Sequence, residues 1–229
     1  MNKTSQPEVL LFDVNETLLD ITILEPFFER VFHNPLMMRN WFAELILYSQ
    51  AMTVSGLYEP FGSLAVGTLK MVGANHHISI SDDDIAEFKS LMGSLPPHPD
   101  VKPALERFQA AGYRLATLTN SAPTQSPTLL EKAGINEFFE GQYSVETVQA
   151  FKPHPATYQH AAKALGVEMD KICLVACHLW DTLGAQAAGS SGAFITRPNN
   201  NLLITDKVPQ PDFVARDLMD LADQLDAKS

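Results

Sequence analysis

The sequence predicts an α/β fold: a doubly wound, parallel-sheet (Rossmann-like) core with an all-α cap inserted after the first strand. Three observations carry that prediction. Val9 to Phe12 form a short unbroken apolar run, as in a strand covered on both faces, and it ends abruptly in Asp13. From Ile21 to about Met92 the apolar residues recur only at helical spacing. From Val101 onward, strand-like and helix-like runs alternate.

In the helical block, Glu25 to Phe32 put Phe27, Phe28, Val31 and Phe32 on one side, with Pro26 in a first helical turn. Leu36 to Met52 predict a longer helix through Trp41, Leu45, Tyr48 and Met52, and Phe61 to Val72 a third. The stripe Phe27, Phe28, Phe32, Trp41 and Tyr48 is read as the core of this block. Ser81 followed by Asp82, Asp83 and Asp84 is an N-cap with an acidic first turn; the spacing of these acids fits no calcium loop. Leu95-Pro96-Pro97-His98-Pro99 is stiff enough for a hinge. The expected division is therefore a core of residues 1-20 and 97-229 and a cap of residues 21-96.

Beyond the hinge, a helix from Val101 to Ala111 stops at Gly112 and a strand follows from Arg114 to Leu118, ending in Thr119-Asn120-Ser121. A helix around Thr128 to Ala133, a short strand near Tyr143 to Val145, Lys152-Pro153 and a helix from Ala156 to Leu165 come next. Ile172 to Ala176 form a buried strand leading into Cys177-His178-Leu179-Trp180-Asp181, and the next helix contains the small run Gly184 to Gly189. Ala193 to Thr196, Phe213-Val214 and Leu218 to Leu225 complete the core.

With 16 basic against 27 acidic residues the net charge is −11, and no basic cluster interrupts it, which argues against a nucleic-acid partner. No apolar stretch reaches the roughly 18 residues of a membrane span, and Met1 to Gln6 lead into a strand rather than a signal-peptide core. A cytoplasmic protein with no membrane partner is the expectation. Cys173 and Cys177 have neither disulfide-framework nor zinc spacing and are read as buried thiols. His76-His77 are read as surface residues and His154 as a locally bonded residue at a helix start.

Every core strand ends in polar residues, and in a parallel sheet those ends share one edge. Asp13 alone could be a turn residue; the convergence of Thr119, Lys152 and Asp181 on the same edge argues against that reading. At these residues the chain resembles the haloacid dehalogenase superfamily over nearly its whole length. Phe12-Asp13-Val14-Asn15-Glu16-Thr17 matches the first motif, Thr119-Asn120 the second, Lys152-Pro153 the third, and the stretch ending in Asp181 before Gly184-Ala185 the fourth. The resemblance implies Asp13 as nucleophile, Thr17 and Thr119 as its hydrogen-bond partners, Lys152 as the cation keeping it ionised, and Asp181 as the acid facing Lys152. An ammonium beside a carboxylate lowers its pKa and orients it, which suits that role.

Departures from the superfamily phosphatases indicate the branch. Where those enzymes have a second Asp to protonate the leaving alkoxide this chain has Asn15, and where they have a magnesium-binding acid it has Cys177. A halide leaving group needs neither device. The chain looks similar to the type II, L-2-haloacid dehalogenases, which also carry a Trp-Asp pair like Trp180-Asp181 and a Tyr matched by Tyr158. That branch implies a halogenated carboxylic acid as substrate, no cofactor, no metal and a homodimer formed through the cap. The competing readings are a phosphatase or phosphonatase and a non-catalytic small-molecule-binding protein. Phe42 stands where the branch has a carboxylate- and halide-binding Arg, His178 where it has an Asn, Ala176 where it has a Ser, and Glu16 where it commonly has Gly. Arg39, one turn before Phe42, either reaches inward or is an ordinary solvent-facing charge; the second is the primary expectation. Glu16 and His178 are read as a general-base dyad, with a mere hydrogen-bonding replacement for Asn as the alternative at His178. Phe42, Phe61 and Trp180 are expected as pocket walls, with Asn15, Asn120 and Tyr158 among the substrate-side residues.

Overall fold

The computed structural model describes residues 6-122 and 126-227. The N-terminal stretch Met1 to Ser5 lies outside them. Six parallel strands form one sheet: β1 (Val9–Phe12), β2 (Arg114–Thr119), β3 (Gly141–Ser144), β4 (Ile172–Ala176), β5 (Ser191–Ile195) and β6 (Phe213–Ala215), in the spatial order β3-β2-β1-β4-β5-β6. The order reverses between β1 and β4, with Phe12 beside Val175, so the loops after these two strands diverge and leave a crevice. Side chains alternate across the sheet. Leu10, Phe12, Cys173 and Val175 join one core, while Val9, Leu11, Ile172 and Leu174 join another, which is why the strands read as continuous apolar runs. On the first face lie α5 (Val101–Ala110) and α9 (Leu218–Asp226); on the second lie α7 (Pro155–Leu165) and α8 (Leu179–Ala187). A short α6 (Leu129–Lys132) follows β2, capped by Thr128 and Glu131.

Between β1 and α5 the regular elements are helical: a 3-10 turn (Ile21–Leu24), α1 (Glu25–Phe32), α2 (Met37–Val54), α3 (Phe61–Asn75) and α4 (Asp82–Met92). Phe27, Phe28, Phe88 and Trp41 interlock with ring centroids 5.1 to 5.7 Å apart, and the Trp41 indole donates to the Ala65 carbonyl. Tyr48 does not belong to this cluster; it is 44% exposed. The buried stripe of α2 runs through Met38, Trp41, Leu45 and Ser49, so extending the apolar spacing to Tyr48 places it on the wrong face. Ser81 and Asp84 make the expected capping box. The two chain segments joining the helical block to the sheet run side by side, with Asp20 N–H donating to Pro96 O and His98 N–H to Leu18 O. No helix among the described residues is long and apolar enough to cross a membrane.

Candidate active site

Asp13 follows β1 at the crevice, its own N–H still bonded to Val175 O of β4. Its two carboxylate oxygens face different surroundings. Oδ1 accepts from Lys152 Nζ at 2.8 Å, and that ammonium also donates to Asp181 Oδ2 at 2.5 Å and to Leu118 O at 3.1 Å. The Tyr158 hydroxyl donates to Asp181 Oδ1 at 2.6 Å. Asn120 Oδ1 accepts the Lys152 N–H, fixing the chain that delivers the ammonium. Gly184 is required here, because a Cβ on it would lie 2.3 Å from Pro153 Cβ and 2.9 Å from the Tyr158 hydroxyl.

Oδ2 accepts from the Thr17 hydroxyl at 2.7 Å and lies 3.4 Å from His178 Nδ1. His178 Nε2 is 2.8 Å from Glu16 Oε2, and Glu16 Oε1 in turn accepts from Arg39 of α2. The His178 ring is stacked between Trp180 (centroids 5.0 Å) and Phe42 (5.4 Å), which leaves its nitrogens as its polar outlets. Glu16 has a left-handed φ of 68°, where a side chain is strained; Leu19 O takes its N–H and His98 Nε2 donates to its carbonyl. Arg197 binds the neighbouring Thr17 carbonyl and pairs with Asp100.

Burial alone would raise the Asp13 carboxyl, but Lys152 and His178 beside it hold it well below the usual carboxylate range. Burial likewise disfavours the His178 cation, yet its anionic neighbours push it well above the ordinary imidazole value. The Cys177 thiol, 3.6 Å from Nε2, is itself pushed up by burial, and Asp13 and Glu16 are the carboxylates that face the two ring nitrogens. Burial raises Asp181 despite the Lys152 charge.

In front of Asp13 lies a narrow recess walled by Phe42, Ile46, Phe61 and Trp180, with Asn15, Thr119 and Asn120 among the lining groups. Past Asn15 and Phe61 an apolar groove of about 590 Å³ opens between α3, α4 and the loop after β2. Two expectations change. Thr119 lines the recess, but its hydroxyl accepts from Ser121 N–H rather than bonding Asp13, because the chain turns immediately after β2. Arg39 is not a solvent-facing charge: it reaches Glu16 and the Pro198 carbonyl, since the buried carboxylate that the loop after β1 brings against α2 is a better partner than water alone. Cys173 and Cys177 are buried, His76 and His77 are exposed, and His154 caps α7 through its own Nδ1. Sequence reasoning missed Ser121, His98 and Arg197; only the pairing potential of an Asp and an Arg flanking the core hinted at the last.

Superfamily magnesium would fit poorly. Among the described residues, Asp13, Cys177 and His178 are the donors within 4.8 Å of one another, and they supply one hard oxygen, a thiol and an imidazole where magnesium takes near-octahedral oxygen ligation. Lys152 already occupies Oδ1.

The chain is 26% identical over 217 residues to an (S)-2-haloacid dehalogenase of Pseudomonas fluorescens, covering 94% of this chain and 95% of that one. It is 26% identical over 157 residues to haloacetate dehalogenase H-2 of a Moraxella species, covering 69% and 70%. The structure of L-2-haloacid dehalogenase from Xanthobacter autotrophicus with chloropropionic acid covalently bound superposes with a TM-score of 0.87 at 23% identity, over 97% of this chain and 100% of that one. At that identity the superposition establishes the shared fold, in which the sheet and the helical insertion correspond. The family model for haloacid dehalogenase-like hydrolases matches residues 7–189, from the strand bearing Asp13 through the helix bearing Asp181, and the chain belongs to that family.

Proposed function

We propose that the protein hydrolyses short-chain (S)-2-haloacids to 2-hydroxy acids without a metal, through an ester on Asp13. One observation carries this reading: a buried, ionised Asp13 faces an aromatic recess in which the side chain two residues on is an amide, not an acid. Asn15 has no proton to give an alkoxide, and a departing halide needs none. Asp13 displaces halide from C2, the C–O bond forming as the C–X bond breaks and the electron pair leaves with the halide. Lys152 and Thr17 hold the nucleophile, and Asp181 and Tyr158 hold Lys152. Phe42, Phe61 and Trp180 wall the reacting carbon, while Asn15, Asn120 and Thr119 supply its polar side. The names of the dehalogenase relatives support the substrate class, and the covalent chloropropionic acid in the Xanthobacter enzyme supports the ester.

For the second half-reaction, Glu16 keeps the proton on His178 Nε2, leaving Nδ1 to take a proton from the water that attacks the ester carbonyl. Residues 21-96 act as a cap over a core of residues 1-20 and 97-229, joined by the paired segments at 18-20 and 96-98. The exposed Leu47, Tyr48 and Val54 on the outer side of α2 favour a homodimer through that cap, and the cytoplasm is the expected compartment. Halide release from both enantiomers of 2-chloro- and 2-bromopropionate tests the substrate. Repeated turnover in ¹⁸O water tests the route: label should enter Asp13, and unlabelled Asp13 would exclude the ester.

A further inference from the structure

A base that removes a proton from water must first be without one, and His178 in the resting enzyme faces two carboxylates. From the loop after β1 come Asp13, 3.4 Å from Nδ1, and Glu16, 2.8 Å from Nε2. Lys152 acts on it through Asp13, with Nζ 5.9 Å from the Trp180 ring, and Asp181 stands behind Lys152. Cys177 adjoins it as a thiol; His98 and Arg197 touch only the backbone carbonyls of Glu16 and Thr17 on that loop. The remaining charge is Arg39, which comes from the helical block, ends on the free oxygen of Glu16, and is anchored on its other side by Pro198 O.

We propose that Arg39 is a positioning residue for the hydrolytic half-reaction: it fixes Glu16 and shares its charge, so that esterification of Asp13 turns His178 from a cation into a base. This rests on the dehalogenase reading and adds to it. With Asp13 ionised, His178 has two carboxylates, Asp13 shared with Lys152 and Glu16 shared with Arg39. Ester formation removes the first, and the imidazolium then keeps only the one shared with Arg39. Its Nδ1 proton passes to solvent in the same half-reaction that releases halide. Neutral His178 then takes one proton of the attacking water while its oxygen adds to the Asp13 carbonyl. On collapse of the adduct the second water proton goes to the departing alkoxide, leaving the 2-hydroxy acid, ionised Asp13 and protonated His178. The cycle thus consumes one water and releases one halide and one proton.

Imidazole NMR titration of His178 separates this arrangement from turnover. Asp13→Asn, which mimics the uncharged ester, should lower the His178 titration by about 1–3 pH units. Arg39→Gln should raise it by about half a unit to one unit, and Arg39→Lys should return most of that shift. In steady-state assays the rise of kcat with pH should move alkaline by the same amount in Arg39→Gln, and pH-indicator dye should show a proton burst coincident with the halide burst in the wild type. Unchanged titration in Arg39→Gln, or a uniform loss of kcat with no movement of the pH limb, would overturn the proposal, since a merely structural arginine predicts those results. If the wild type releases no halide from any 2-haloacid, the dehalogenase reading fails, while the NMR titration still decides whether Arg39 governs His178.

Discussion

The two oxygens of Asp13 lie in contrasting halves of one site. On the Oδ1 side Lys152 is wholly buried and gives its ammonium to two carboxylates and a carbonyl, and Tyr158 closes the far carboxylate. On the Oδ2 side the buried His178 ring faces Asp13 at 3.4 Å through Nδ1 and Glu16 at 2.8 Å through Nε2, with Arg39 on the far oxygen of Glu16. One half has its charges matched and fixed; the other holds a titratable ring between two carboxylates. We read the first half as the means of keeping the nucleophile ionised and the second as the means of regenerating it.

Breaking the fixed half should have the largest effect. Lys152→Met leaves Asp13 and Asp181 facing each other with no ammonium between them, which should cost about 3–5 kcal/mol of stability and remove turnover at neutral pH. The pH dependence has a definite sign. In the wild type Asp13 is held below its ordinary 3.8, so its contribution to stability is present above that value and is lost as pH falls through the folded value. Without Lys152 burial dominates, the folded carboxyl rises above its unfolded value, and stability should fall as pH increases. Chemical denaturation at several pH values measures both the size and the slope.

Breaking the titratable half should separate the two chemical steps. His178→Asn keeps Lys152 and Thr17 on Asp13, so one equivalent of halide should still be released, while steady-state turnover drops by about 10²–10⁴ and the ester accumulates to be seen as a mass increment. Turnover as fast as the wild type would return His178 to the role of a simple hydrogen-bonding side chain.

This contrast also explains what was legible in the chain. The fixed half is built from residues at the ends of apolar runs: Asp13 after β1, Asp181 in the first turn of α8, and Tyr158 at the end of the first turn of α7, after Lys152. Such positions follow from periodicity and from the rule that strand ends converge. The titratable half depends on where long side chains go. Arg39 sits on a helix whose apolar stripe predicts only which face is buried, and whether a charge beside that stripe turns inward depends on Glu16, a residue distant in sequence and held in a left-handed conformation. Tyr48 fails for the same reason, because apolar spacing does not distinguish a helix packed on one side from a helix with an exposed apolar flank.

A smaller effect should come from packing behind the fixed half. Gly184→Ala drives a methyl group into Pro153 and the Tyr158 hydroxyl, an overpacking worth about 1–3 kcal/mol. Because Lys152 and Tyr158 are displaced together, kcat should fall while the position of the His178-dependent pH limb stays put. A shift of that limb would mean that the two halves are mechanically coupled through Asp13.

The smallest expected change addresses which group keeps His178 charged in the resting enzyme. Cys177 Sγ lies 3.6 Å from Nε2 and 3.5 Å from the Thr17 hydroxyl, close enough for a thiolate to stabilise an imidazolium strongly. Burial opposes that thiolate, as do the carboxylates of Glu16 and Asp13 nearby, and a neutral thiol contributes little charge. Cys177→Ala should therefore cost about 1 kcal/mol, roughly the burial of one small apolar group, and leave the His178 titration where it is. A fall of that titration by a unit or more would identify a thiolate–imidazolium pair instead, and the Oδ2 side would then hold its proton through Cys177 rather than through Asp13 and Glu16.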